Sequence, residues 1–224
     1  MKGEPIYVEH PRDSHSRIGG LHYVYFDIAQ DEYVKCLEVE AIDDSDMHDG
    51  EKSELSDKAT EHAVKAIIFS ALCVEAAINN YSGIHLGDSY SEKHLHSMDV
   101  ISKWVVIPNL VCGRTINKSG PAFGSLKKLI SARNKLVHNK SKEFSPADPN
   151  LAESLEKRDL AFKSDFENSL RALYLMCMEM DFLLGQMHNP IRTLDIEFSP
   201  LLEIPDKAKP LFNECKKIVL NLHS

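Results

Sequence analysis

Arg133, Asn134 and His138, in the stretch SARNKLVHNK (131–140), are the residues whose types and spacing could do chemistry. Counting along a helix, Leu126, Leu129 and Ile130 recur at core-facing spacing, and Leu136 and Val137 continue the stripe. Arg133 completes the i, i+3, i+4, i+7 series begun by Leu126, so a guanidinium takes a slot that normally holds Leu or Ile. A charge there needs a partner, or has to face something other than a plain core. Asn134 and His138 are four apart and share a helix face. Arg133 and His138 are five apart, so on an ideal helix they diverge by about 140°. They converge on a shared polar ligand only if the helix ends near His138, or if a second subunit supplies the other half. The structural alternative is simpler. His138 and Lys140 are favoured by the macrodipole at a helix C-terminus, and Arg133 pairs with a carboxylate such as Glu75.

Glu75 and Asn79 are the second polar anomaly. They continue the row of Ile68 and Leu72 on an otherwise apolar helix, so both are expected to face inward and to need partners. They either hold Arg133 and Asn134 in place or touch a ligand directly. His94 and His96 are two apart, hence on different faces, with no carboxylate cluster at metal-ligand spacing; a solvated face is expected and no metal or cofactor is assigned. Met176, Met178, Met180 and Met187 read as core filler. No phosphate-binding glycine loop and no G-x-S-x-G elbow occurs, which removes nucleotide-loop and serine-hydrolase readings.

The elements that position these residues are helical from about residue 57. A first helix runs to Tyr81 with Ile67, Ala71, Val74, Ile78 and Tyr81 on one face, stopping near Gly83. A second spans Ser91 to Val106, ended by Pro108. A third starts at Pro121 and carries the motif. After the break at SPADPN, Ser164 and Glu167 form a capping-box pattern that starts the longest helix. Its seam is Phe166, Leu170, Leu173, Cys177, Met180, Leu184 and Met187. A prolyl segment then leads to a short helix with Leu211, Cys215, Ile218 and Leu222 on one face. Residues 1–50 form an extension whose aromatic and β-branched runs fit a β-hairpin turning at AQDE, and also fit a helix. DDSDMHDGEKSELSD (43–57) reads as a loop, and its superficial calcium-loop pattern fails at the fifth, glycine and twelfth positions. The expected fold class is mainly α, an up-and-down bundle of four or five helices spanning 51–190, with 191–224 packing on it.

RNKLVH resembles the R-x4-6-H motif of the HEPN superfamily, with four intervening residues and a polar residue after the arginine. VEAAINNY on an earlier helix, the long helix after the motif and the bundle are also similar to that family, over roughly residues 55–188. The resemblance implies a dimer that brings two motifs into one cleft, and metal-independent endoribonuclease activity of toxin or defence type. It also implies RNA as substrate and an antitoxin-like protein as partner. Carried over, Arg133 and His138 become the catalytic pair, Asn134, Glu75 and Asn79 auxiliary groups, and Lys135 and Lys140 substrate contacts. A non-catalytic RNA- or nucleotide-binding protein, or a protein-interaction scaffold, is the alternative.

The whole chain sets bounds on these readings. Its 224 residues carry a formal net charge of −8, which argues against a general nucleic-acid coating protein. A polyanion would need a local basic patch. Five scattered cysteines without a CxxC pair, and a charged start without a secretory apolar region, fit reduced thiols in the cytoplasm. The longest apolar run, Ala66–Ile78, contains Glu75 and is too short for a bilayer, so no membrane span is expected.

Overall fold

The computed structural model describes residues 5–12, 17–141, 143, 145, 149–195, 197–199 and 203–224. The elements are α1 (His22–Glu40), α2 (Asp49–Leu86), α3 (Asp88–His94), α4 (Val100–Cys112), α5 (Pro121–Val137), α6 (Leu151–Leu184) and α7 (Lys209–Leu222). No strand occurs among the described residues. α2 and α6, of 38 and 34 residues, are the two long rods. α1 lies along α2, α5 along α6, α2 against α6, and α7 closes on α6. No described helix is long and apolar enough to cross a membrane.

Small side chains let the rods come together. Ala63, Ala66, Ala71, Cys73 and Ala77 of α2 are all buried, beside Ile67, Val74, Ile78 and Tyr81. Phe26, Ala29, Tyr33 and Cys36 of α1 and Leu170, Leu173, Tyr174 and Cys177 of α6 share the same core. Tyr33 stacks on Phe166 with centroids 4.6 Å apart, and the Tyr174 hydroxyl donates to Gln30 Oε1 at 2.8 Å. The expected inward face of the first long helix is therefore buried, as is the α6 seam from Phe166 to Leu184.

Several expectations need correction. The hairpin considered for residues 21–42 is α1. Its buried positions fall at helical spacing, and packing on α2 outweighs the β-branched content. The expected 43–57 loop is already helix from Asp49. His48 caps the turn, its backbone N–H donating to Glu51 Oε2 at 3.0 Å, and Asp49 and Glu51 suit the positive helix end. α2 runs through Gly83 to Gly87, whose φ of 90° ends it. The expected 91–106 helix is split, because Asp99 caps a new start by accepting from Ser102 N at 3.0 Å. Pro108 lies inside α4 rather than ending it, buried beside Trp104 and Ile107. α6 begins at Leu151, well before Ser164. Its first turns leave Leu155 and Leu160 exposed, so they carry no apolar stripe to read. Met187 is exposed, in a 3-10 turn after α6. Leu222 also faces solvent; Cys215 and Val219 anchor α7. The breaks at SPADPN and SPLLEIP include Pro146–Asp148 and Pro200–Leu202, which lie outside the described residues.

The chain after α6 is tied down by one amide. Asn189 Nδ2 donates to Cys177 O and to Asp181 Oδ1, both at 2.7 Å, while its Oδ1 accepts from Ile191 N and Arg192 N. Asp181 Oδ2 also accepts from Thr193 Oγ1 at 3.0 Å. The N-terminal segment crosses here too. Ile6 N donates to Gln186 Oε1 at 3.0 Å. Gly185 has a φ of 80°, and a Cβ on it would meet Ile6 O at 2.5 Å, so only glycine fits.

Burial pushes the Asp181 carboxyl up to about 7, against the lowering effect of the Asn189 and Thr193 hydrogen bonds. An acid whose pKa rises on folding holds its proton more tightly in the folded chain, so its contribution to stability falls as pH climbs from about 4 towards 7. Asp181→Asn should remove that dependence. Between pH 6 and pH 8 the wild type should lose about 1 kcal/mol relative to Asp181→Asn in urea unfolding. Parallel pH profiles for the two proteins would contradict a buried, proton-holding Asp181.

Candidate functional site

α5 starts on Gly120–Pro121 and buries Ala122, Phe123, Leu126, Leu129, Ile130 and Ala132 against the bundle. Arg133 sits where this stripe reaches the rim. Its side chain is 22% exposed, and Nη2 donates to Glu75 Oε2 on α2 at 2.6 Å. Nη1 donates to Asn134 Oδ1 at 3.1 Å. Nε is buried with no hydrogen-bond partner among the described residues. Since each terminal nitrogen carries two hydrogens, one N–H on each remains for a further acceptor. Beyond Arg133 the stripe thins: Leu136 is half-buried and Val137 is 57% exposed, so Val137 does not extend the core.

α5 ends at Val137, and His138 is its C-cap with φ −103° and ψ 26°. The His138 backbone N–H donates to Asn134 O at 3.0 Å, while its ring is exposed. Because that N–H keeps the helical bond to Asn134, His138 stays on the Asn134 side of the helix, and within one chain its ring does not face Arg133. No hydrogen bond joins Arg133 and His138 among the described residues. Asn134 and Lys140 are exposed, and Lys135 pairs with Asp165 of α6 at 2.9 Å.

Glu75 thus meets the motif helix, at the rim rather than in the core. Asn79 does not: it is exposed and accepts from Lys103 Nζ of α4 at 2.9 Å. The row Ile68, Leu72, Glu75, Asn79 is the half-exposed edge of α2, the buried face being Ile67, Ala71, Val74, Ile78. A one-residue shift separates the two faces, which explains the inward expectation for Asn79.

Charge is distributed unevenly. Residues 100–142 contain nine Lys or Arg and no Asp or Glu, in a chain of net charge −8. Arg114, Lys118, Lys127, Lys128, Lys135 and Lys140 are exposed. On α5, Lys127, Ser131, Asn134 and His138 fall at i, i+4, i+7 and i+11 and form one exposed row. This local basic face can attract a polyanion despite the acidic whole.

Two other features lie away from α5. A cleft of about 720 Å³ is lined by Tyr23, Asp27, Gln186, Arg192, Thr193 and Phe198 among others, and by none of the motif residues. There Arg192 pairs with Asp27 at 2.7 Å and lies over the Phe26 ring, leaving its charge already satisfied. At the far end of α2, His10, His85 and His188 meet, their nearest ring nitrogens all within 4.8 Å of one another. The sequence gives no hint of this cluster, since its members come from three distant segments. His94 and His96 are exposed, as expected. Cys36, Cys73, Cys177 and Cys215 are buried and their thiols are pushed up by burial, Cys36 and Cys215 to about 12, so none is an activated nucleophile. No family model, no curated protein and no solved structure matches the chain.

Glu75→Leu removes the carboxylate from a guanidinium that is mostly shielded. The loss should be about 1 kcal/mol, the scale of a partly exposed ion pair plus a stranded donor. Thermal unfolding should show Glu75→Leu melting a few degrees below Glu54→Leu, an exposed change on the same helix. Equal melting temperatures would remove the structural role of the pair.

Proposed function

We propose that this protein acts on RNA as a metal-independent endoribonuclease whose site is completed by a second copy of the chain. The observation that carries the reading is the conjunction at the end of α5. Arg133 is fixed by Glu75 with N–H donors left over, and an exposed His138 ends the same helix on an acid-free, basic stretch of chain. The similarity of RNKLVH to the R-x4-6-H motif supports the same assignment.

In this mechanism a ribose 2'-oxygen attacks the adjacent phosphorus and the 5'-oxygen leaves. The products are a 2',3'-cyclic phosphate and a 5'-hydroxyl. One His138 takes the 2'-hydroxyl proton, and the His138 of the second copy gives a proton to the leaving oxygen. Arg133 donates to the non-bridging oxygens as charge builds on them, with Asn134 beside it. Lys127, Lys128, Lys135 and Lys140 hold the flanking backbone as point charges. Exposed Val137 shares the Arg133 face four residues on, and its burial against a second copy would bring two motifs together. Such a basic row is also the surface that a neutralising, acidic protein partner in a toxin or defence setting would cover.

Arg133→Ala and His138→Ala should each lower cleavage on the order of 100-fold or more without unfolding the bundle. Cleavage should survive EDTA and spare DNA, which lacks the attacking hydroxyl. Sedimentation of the wild type should show a dimer of the 25.3 kDa chain at micromolar concentration. Cleavage unchanged in His138→Ala would overturn the mechanism. RNA binding by a dimer that never cuts would favour the binding-only reading, in which Glu75 keeps Arg133 neutralised.

A further inference from the structure

The histidine cluster is independent of α5 and has its own chemistry. His10 comes from the segment before α1, His85 from the last turn of α2, and His188 from the 3-10 turn after α6. His10 and His85 are buried and His188 is half-buried. The His10 and His188 rings stack at 3.8 Å, and His85 sits 4.8 Å from His10 and 5.5 Å from His188. Each imidazole brings two polar nitrogens, so gathering three of them places several possible ligand atoms in one small volume.

The geometry points to a divalent transition-metal site, best suited to zinc, formed by His10, His85 and His188. Three nitrogens no more than 4.8 Å apart lie within about 2.8 Å of a common centre, against about 2.0–2.1 Å for a zinc–imidazole bond. Closing the difference requires the stacked His10 and His188 rings to turn out of parallel, so that each lone pair points at the ion, as well as to move inward. The outer contacts are of the type ligating histidines use. His10 Nδ1 lies 2.9 Å from Val8 O, which can only accept, so Nδ1 carries the proton and Nε2 presents its lone pair. That lone pair accepts the Tyr81 hydroxyl at 2.8 Å, a hydrogen bond the ion would displace. A cavity of about 100 Å³ lined by Tyr81, His85, His188 and Asn80 adjoins the cluster. Neutral imidazoles suit zinc, nickel or copper and would not hold magnesium or calcium, which take oxygen ligands.

A metal here would clamp three chain segments that meet at this corner. The N-terminal segment already crosses Gly185 and Gln186, and the ion would pin it to α2 and to the end of α6. The binding energy of the ion would add to folding stability.

The test is zinc binding by the full chain after stripping with a chelator and dialysis. One zinc per chain should bind with a dissociation constant of about 1 μM or lower. Cobalt should give the visible bands of a near-tetrahedral site, and saturating zinc should raise the melting temperature by several degrees. His188→Phe keeps the stack on His10 but removes a ligand, so it should fold, lose the cobalt bands and lose the zinc-dependent stabilisation. Should His188→Phe fold poorly by circular dichroism, His85→Gln serves the same purpose. His94→Ala with His96→Ala should behave as wild type. Absence of saturable binding to the stripped chain overturns the assignment, as does binding that persists unchanged in the ligand-removing variant. RNA cleavage in EDTA is a separate measurement, and neither result decides the other.

Discussion

The pair formed by Arg133 and Glu75 constrains the placement of everything around α5. A guanidinium in the apolar stripe cannot enter the core, so α5 has to meet α2 with that position at the rim, where Glu75 accepts at 2.6 Å. The turns before it can then bury Phe123, Leu126 and Leu129, and the turn after it is left facing outward. Exposure of Val137 and His138 follows from that geometry, not from any feature of their own side chains. The same pair, with Asn134 on Nη1, holds the arginine fork at the rim.

Legibility in the sequence followed the apolar periodicity. α5 and the α6 seam were readable because Leu126, Leu129, Leu170, Leu173 and Cys177 repeat at helical spacing on a single buried face. α1 was ambiguous because Tyr23, Val24, Tyr25 and Val34 favour strands locally, whereas its pairing with α2 is a tertiary effect. The early start of α6 was hidden, since its first turns are solvated all round and carry no stripe. Pro108 misled as a stop signal because the packing of Trp104 and Ile107 carries the helix past it.

At the candidate site, the partnership of Arg133 with Glu75 was open to inference, as an unpaired charge and a polar residue on an apolar helix had to find each other. Asn79 was misplaced because rows one residue apart on α2 differ between core and rim. The run without acidic residues from 100 to 142 was visible in the chain but means little until α5 shows which lysines share a face with Asn134 and His138. The His10–His85–His188 cluster had no local signal at all. It exists only because the segment before α1 folds back across the end of α6.

Two features are thus distinct on the fold: a basic, outward-facing motif at the end of α5, and a cluster of histidines where the N-terminal segment meets α2 and the turn after α6. The central claim concerns the first, that RNA is engaged along the Lys127–His138 row. It is tested most directly by the salt dependence of affinity for a structured RNA bearing a non-cleavable 2'-deoxy position. Binding should weaken with salt, and Lys127→Glu with Lys128→Glu should flatten the slope of log affinity against log salt by about 1 to 2. Lys207→Glu with Lys217→Glu, exposed elsewhere, should leave that slope unchanged. Equal slopes for both double variants, or affinity indifferent to salt, would contradict the account.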